Sequence, residues 1–306
     1  MIEFDLFNKM LVQGVLIEDL KKDTLLSAGM LKVNITDWFF FKDKPTFSYI
    51  GLSDALVNMH RSDSVWNYQF LIDYFSAPKT STGKKSSVQI DLKILDLKNI
   101  TFNRVDEWTG QDMKGSLSKL YLTADKFDID KKRIEIKEVD IENPVFGMYD
   151  YLGKKSVSLL PAVTKTKIIE PGQLQWNAED WQLSVAKINL KNGIFINERE
   201  TDRGPYTDRF DGEHLRFSAI NGELQNVLFA KDTISAQVKL STIEKSGFKV
   251  NQLLAAMKIT PEMMEFSNLD IITDKSRIGN YYAMHYDNFN ADMSDFFAPC
   301  KIRRQF

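Results

Sequence analysis

The stretch QIDLKILDLKNITF, Gln89 to Phe102, decides how this chain is read. Ile90, Leu92 and Ile94 alternate with Asp91 and Lys93, the period of a strand with one buried face. Leu95 and Leu97 then carry the alternation on with the opposite parity. A one-residue slip exchanges the two faces of a strand, so this change predicts a bulge or a turn. The stretch returns as QLSVAKINLKNGIF, Gln182 to Phe195. The leading Gln, the Leu-Lys-Asn triplet and the final Phe coincide, and most apolar positions follow.

The same period-2 signal runs through the rest of the chain. It appears at Leu31/Val33/Ile35 with Lys32 and Asn34 between them, at Ile134/Ile136, at Ile188/Leu190 and at Ile234/Ala236/Val238/Leu240. Ile134 and Ile136 give way to Val139 and Ile141, a second change of parity. GVLIEDLKKDTLLSAGMLKVNI, Gly14 to Ile35, reads as a strand, a polar turn around Lys21 to Asp23, and a return strand. Leu120/Leu122 before Ile134/Ile136 resembles Leu215/Phe217 before Ile234/Ala236. The reading is a mainly β chain of three units: 1–78 with a short helix, 79–178, and 179–306 as a repeat of the second. Sandwich or solenoid architectures repeat strands this way and cover their edges with neighbours.

Helical patterning is sparse. Trp66, Phe70, Leu71 and Tyr74 have helical spacing within Trp66 to Phe75, and Ser64 is placed to cap them. Val250, Leu253, Leu254 and Met257, in GFKVNQLLAAMKIT, predict a second brief helix. SAPKTSTGKKSS, from Ser76 to Ser87, is the most linker-like stretch.

Composition narrows the function. Forty basic residues face 42 acidic ones, so no concentrated basic face points to nucleic acid. Aromatic residues are plentiful (21 Phe, 10 Tyr, 5 Trp) and only 8 prolines occur, which argues against disorder. The single cysteine, Cys300, has no internal disulfide partner and reads as an inert thiol. No apolar run approaches the roughly 18 to 20 residues of a spanning helix, and Met1 opens no signal peptide. That leaves the cytosol, or a piece of something whose export signal lies elsewhere.

No catalytic constellation can be assembled. His60, His214 and His285 are far apart in sequence, with no Cys or carboxylate at ligand spacing, so no metal or other cofactor is expected. Asp128/Asp130 and Asp140/Glu142 are two apart, which places each pair on one face of a strand, the solvated one. No G-x-S-x-G, Walker A, G-x-G-x-x-G or H-E-x-x-H motif is present. Asn34-Ile-Thr36 and Asn99-Ile-Thr101 match the glycosylation triplet, a common chance match. The loop from Glu198 to His214, dense in both charge signs, reads as a solvated hairpin or crossover.

Several blocks resemble one family in order along the chain. GVLIEDLKKDTLLSAGMLKVNI is similar to the early strand pair of TamB-like proteins of Bacteroidetes-type bacteria. VNMHRSDSVWNYQFLIDYF, Val57 to Phe75, is similar to the strand and short aromatic helix that follow. LSTIEKSGFKVNQLLAAMKI, Leu240 to Ile259, and LDIITDKSRIG, Leu269 to Gly279, resemble two later blocks, and related AsmA-like proteins share the architecture.

The resemblance implies the N-terminal part of the periplasmic region of a longer cell-envelope protein. Such a protein is anchored in the inner membrane and reaches an Omp85-type outer-membrane partner. The anchor and partner-binding regions are missing from this chain, and APCKIRRQF does not continue the family pattern, so a truncated or frameshifted fragment is expected. The implied fold is an elongated, curled antiparallel sheet, an open groove with one or two short helices. The implied role is non-enzymatic: outer-membrane biogenesis, with phospholipid transfer or assistance to outer-membrane protein assembly. Phospholipid acyl chains would then lie on Leu31, Val33, Ile35, Ile90, Leu92, Ile134, Ile136, Ile188, Leu190, Ile234, Val238 and Leu240. Self-association through open strand edges is a further expectation. The alternative is a β-rich periplasmic or cell-surface module that binds glycan or protein, with exposed aromatic clusters on one face or loop end.

Overall fold

Alternating apolar residues form strands wherever a neighbouring strand can pair with both edges, and here they do so almost throughout. The computed structural model describes residues 2–5, 9–35, 46–76, 89–129, 131–155 and 175–285. Within them the chain forms one sheet of fourteen strands. These are β1 (Ile2–Asp5), β2 (Lys9–Glu18), β3 (Thr24–Ile35), β4 (Thr46–Arg61), β5 (Gln89–Asp106), β6 (Gln111–Asp128) and β7 (Arg133–Glu142), then β8 (Val145–Asp150), β9 (Gln182–Arg199), β10 (His214–Ala230), β11 (Thr233–Glu244), β12 (Lys249–Ile259), β13 (Met263–Thr273) and β14 (Arg277–His285). α1 spans Gln69–Ser76, Lys154 and Lys155 are also helical, and among the described residues no helix is long and apolar enough to cross a membrane.

Spatial order follows chain order, so the sheet is a long meander. Neighbours are antiparallel except at two junctions, where β5 runs parallel to β4 and β9 runs parallel to β7 and β8. A tight turn cannot join parallel strands. The chain therefore leaves the sheet after Arg61 and returns at Gln89, then leaves after Asp150 and returns at Gln182. The all-antiparallel expectation is corrected at these two places. The unit boundaries expected near 78 and 178 fall inside the two crossovers.

β7 and β8 are two halves of one line. β6 pairs with both, and β9 runs alongside both. The line breaks at Asn143 and Pro144, where Asn143 has φ of 51° and Pro144 has no N–H to donate. Both changes of parity also fall at breaks in register. β4 advances from Phe47 to Tyr49 while β5 advances from Ile90 to Ile94, and β6 slips against β7 around Ala124 and Ile136.

A polar seam crosses the sheet at one register. Gly14, Gly29, Asp54, Asn99, Ser118, Asn143, Asn192 and Asn221 occupy it on successive strand lines, and all are exposed. Gly14, Asp54, Asn99, Asn143 and Asn192 have φ between 51° and 67°. Asx residues tolerate this left-handed conformation better than other L-residues, and bulges of this kind bend and twist a strand. Their side chains link laterally. Asn99 donates to Asp54 (2.9 Å), Asn143 to Ser118 (3.2 Å), Asn192 to Asn143 (2.8 Å), and Asn221 accepts from the Asn192 N–H (2.9 Å).

Two helix expectations are corrected. GFKVNQLLAAMKIT forms β12, because Leu253, Ala255, Met257 and Ile259 alternate and β11 and β13 pair with its two edges. α1 begins at Gln69 rather than Trp66, because Trp66 and Asn67 serve the sheet end instead. The Asn67 amide oxygen accepts the His60 N–H (3.0 Å), and its Nδ2 donates to the Asn58 carbonyl (3.2 Å). The linker-like stretch beyond Ser76, together with Asp130 and Cys300, lies outside the described residues.

Asn192→Val should lower stability by about 1–2 kcal/mol, since a β-branched residue is forced to positive φ. Asn192→Gly should cost less. Urea midpoints with an unchanged m-value would measure the difference.

Candidate functional site

Cross-strand partners share a face of the sheet, so register sorts the side chains. One row holds Val12, Leu31, Leu52, Leu97, Leu120, Ile141, Leu190, Gly222, Leu240, Leu253, Ile271 and Ile278, each opposite the next. Two residues along lies a parallel row: Met10, Val33, Ile50, Leu95, Leu122, Val139, Ile188, Leu224, Val238 and Ala255. No charged or polar side chain interrupts either row. The residues between them point the other way and include Lys32, Asp96, Tyr121, Asp140, Asn189, Glu223 and Lys239.

This polar face is cross-linked by its own side chains. Tyr49 Oη donates to Asp96 (3.2 Å), Asn189 Nδ2 to Asp140 (2.7 Å) and Glu138 (3.0 Å), and Lys187 pairs with Glu223 (2.9 Å). Asp140 and Glu142 share this face, as their spacing requires, but both are half-buried rather than fully solvated. Asp128 instead accepts the Lys131 N–H (3.0 Å) in the turn beyond β6.

The apolar face is not sealed. Twelve strands at about 4.8 Å spacing make it on the order of 50 Å long, and two rows alone span about 700 Å². The first row is half-buried along its length, with Ile278 at 52% exposure, whereas Val33, Val139, Val238 and Ala255 of the second row are buried. Among the described residues only sixteen apolar side chains are fully buried, and five of these are alanines. Beyond the seam the face continues through Val57, Phe102, Gly115, Phe146, Phe195 and Phe217, with Phe146 and Phe195 stacked at 6.2 Å.

The residues expected on the groove fall as follows. Leu31, Leu190 and Leu240 are in the first row, and Val33, Ile188 and Val238 in the second. Ile136 shares a third row with Ala124 and Val185. Ile134 and Ile234 belong to a fourth with Phe127, Leu183 and Phe229. Leu92 is buried in β5. Ile35 and Ile90 both lie opposite Phe47, but their side chains are outside the described residues. Ile50 and Leu52 were missed, although their alternation about Gly51 was a visible signal.

One rim of the sheet is built on buried acids. Asp106 accepts two bonds from Arg61 (2.7 and 2.8 Å), one from Arg104 (2.8 Å) and the Thr109 N–H (3.1 Å). Trp66 lies over both guanidinium groups, at 4.5 and 4.9 Å. In the loop between β9 and β10, Asp211 accepts two bonds from Arg203 (2.8 and 2.7 Å) and the Tyr206 N–H (2.9 Å), and Arg203 and Arg209 flank the Tyr206 ring at 4.0 and 3.8 Å. Burial pushes the Asp106 carboxyl up, but Arg61 and Thr109 outweigh it and hold it below the usual range. Arg203 holds Asp211 well below that range against its own burial. Each cluster pins a rim loop, which is a structural role.

Two histidines acquire carboxylate neighbours that sequence spacing hid. His60 lies with Asp19 and Asp23, ligand atoms within 4.8 Å of one another. Asp19 Oδ1 already accepts the Lys21 and Asp23 N–H groups (2.8 and 3.0 Å), which accounts for its burial. His214 bridges Glu198 (2.5 Å) and Thr201 (3.2 Å). Thr201 donates its hydroxyl hydrogen to the Arg203 carbonyl (2.8 Å), so its geometry is not that of an activated nucleophile.

No protein-family model and no curated protein matches this chain.

Asp106→Ala should destabilise by about 1–3 kcal/mol, because it leaves the half-buried Arg61 and Arg104 guanidinium groups without their shared acceptor. The low folded-state pKa of Asp211 implies stability that is present above its unfolded value near 4 and lost as pH falls through the folded one. Urea midpoints for wild type and Asp211→Asn should therefore differ at neutral pH and converge in acid.

Proposed function

We propose that this chain is a section of a TamB-like envelope protein whose apolar sheet face carries phospholipid acyl chains between membranes. The observation that carries this reading is the pair of adjacent apolar rows, unbroken by charge across ten strands, of which the first is half-exposed and the second partly buried.

Such a route depends on continuous apolar contact. Each acyl CH₂ exposed to water costs about 0.8 kcal/mol, so two 16-carbon chains cost on the order of 25 kcal/mol. A route through an aqueous compartment works only if apolar contact never lapses. A sheet meets that demand because its backbone groups are satisfied by strand pairing while alternate side chains present one dry surface. A single Asp in a row would interrupt it. The ordered TamB-like blocks supply the setting, the periplasm of a cell with two membranes, and they favour lipid over an unspecified apolar client.

Lipid extraction and mass spectrometry of the purified chain tests the reading. Phospholipid should co-purify with wild type and be lost from a Leu97→Asp, Leu190→Asp double variant, but kept by Lys98→Asp and Lys191→Asp on the polar face. A lipid-free wild type, or equal retention by both variants, would contradict it.

A further inference from the structure

On the polar face, beyond the seam, four strands form a small grid. Asn103 of β5, Lys114 of β6, Gly147 of β8 and Ile196 of β9 lie in one row. Asp112, Tyr149 and Glu198 lie in the next. Gly147 is at the centre. A side chain there would fill the middle of the patch, and its absence leaves a depression of about 440 Å³ lined by these residues. A Cβ built on Gly147 would meet the Ile196 Cβ at 3.7 Å and the Lys114 carbonyl at 3.9 Å, ordinary contacts, so packing does not demand this glycine.

Most of the surface inside the depression is apolar, and the polar groups around it are already held in position. Asp112 Oδ1 accepts the Tyr151 hydroxyl and the Asp106 N–H, both at 3.0 Å, which fixes the carboxylate at the edge of the depression. Glu198 Oε2 is taken by His214 at 2.5 Å, which leaves Oε1. Asn103 donates its Nδ2 to Asn58 (2.9 Å) and keeps its amide oxygen. Among the described residues Lys114 makes no ion pair. Tyr149 is 42% exposed and stacks on Tyr151 at 5.4 Å, so its ring stands braced at the depression.

We infer that this depression is a saccharide-binding site, centred on Gly147 and separate from the apolar face. A sugar ring presents an apolar C–H face that suits an aromatic platform, and an edge of hydroxyls that both donate and accept. Tyr149 supplies the platform. Asp112, Glu198 and Asn103 supply fixed acceptors, and Lys114 a donor. Two carboxylates beside one ammonium disfavour an anionic ligand. The volume lies within the range of small-molecule sites, enough for one or two sugar units. Acceptors tied down by Tyr151 and His214 need little reordering on binding.

The test uses the full chain and three probes, chitobiose, maltose and cellobiose, each at millimolar concentration in saturation-transfer NMR. At least one should bind. Gly147→Val, which fills the floor, and Tyr149→Ala, which removes the platform, should each weaken it by roughly tenfold or more. Urea midpoints of both variants, measured alongside, separate lost binding from lost folding. No binding of any probe, or binding unaffected by both substitutions, overturns the inference. Lipid retention should be the same in all three proteins, so the two sites fail or stand separately.

Discussion

Cross-strand register is the constraint on which the rest depends, because a sheet this wide has to satisfy its backbone and sort its side chains in one operation. Every strand pairing that closes N–H and C=O groups also fixes which residue stands opposite which. Leu31 meets Leu52, Leu52 meets Leu97, and the match passes on to Ile278 without a charged side chain. Slippage of a single strand by one residue would bring the Lys98 or Asp140 side onto the apolar face. The rows are therefore evidence of a specified surface rather than of generic β propensity.

Seam and rims then control what the rows do. The Gly and Asx line from Gly14 to Asn221 lets successive strands bend at a common register, and its lateral hydrogen bonds keep the bends in step. At one rim the strands end in loops organised by Asp19, Asp106, Asp211 and Glu244, each buried and each accepting backbone N–H groups. The second crossover is locked to the β5–β6 turn. Gly110 and Gly153 approach so closely that a Cβ on Gly110 would come within 2.0 Å of the Tyr151 carbonyl oxygen. These devices hold the ends while the face between them stays open.

Much of this was legible because strand alternation is local. Leu95/Leu97 and Ile188/Leu190 stand in equivalent rows, and Asn99 and Asn192, matched in the two repeats, share the seam with φ of 53° and 54°. The repeat misled further on. Leu215 and Phe217 are not the counterparts of Leu120 and Leu122, whose row partners in β10 are Gly222 and Leu224, because a longer loop precedes β10. The rim clusters were invisible for the same physical reason. Arg61 meets Asp106, and His60 meets Asp19, only after a crossover or a sheet has folded them together. The parallel junctions were hidden too, since alternation does not encode strand direction.

One face of the sheet carries two unbroken apolar rows, and the other holds a separate depression beyond the seam. The central claim is that lipid lies on the first side alone. A photo-reactive amino acid placed in turn at Leu95, Asp96, Leu97 and Lys98, then irradiated with labelled phospholipid, reads that parity directly. The account predicts cross-linking at Leu95 and Leu97 and none at Asp96 and Lys98. Uniform labelling, or none at any of the four, would contradict it.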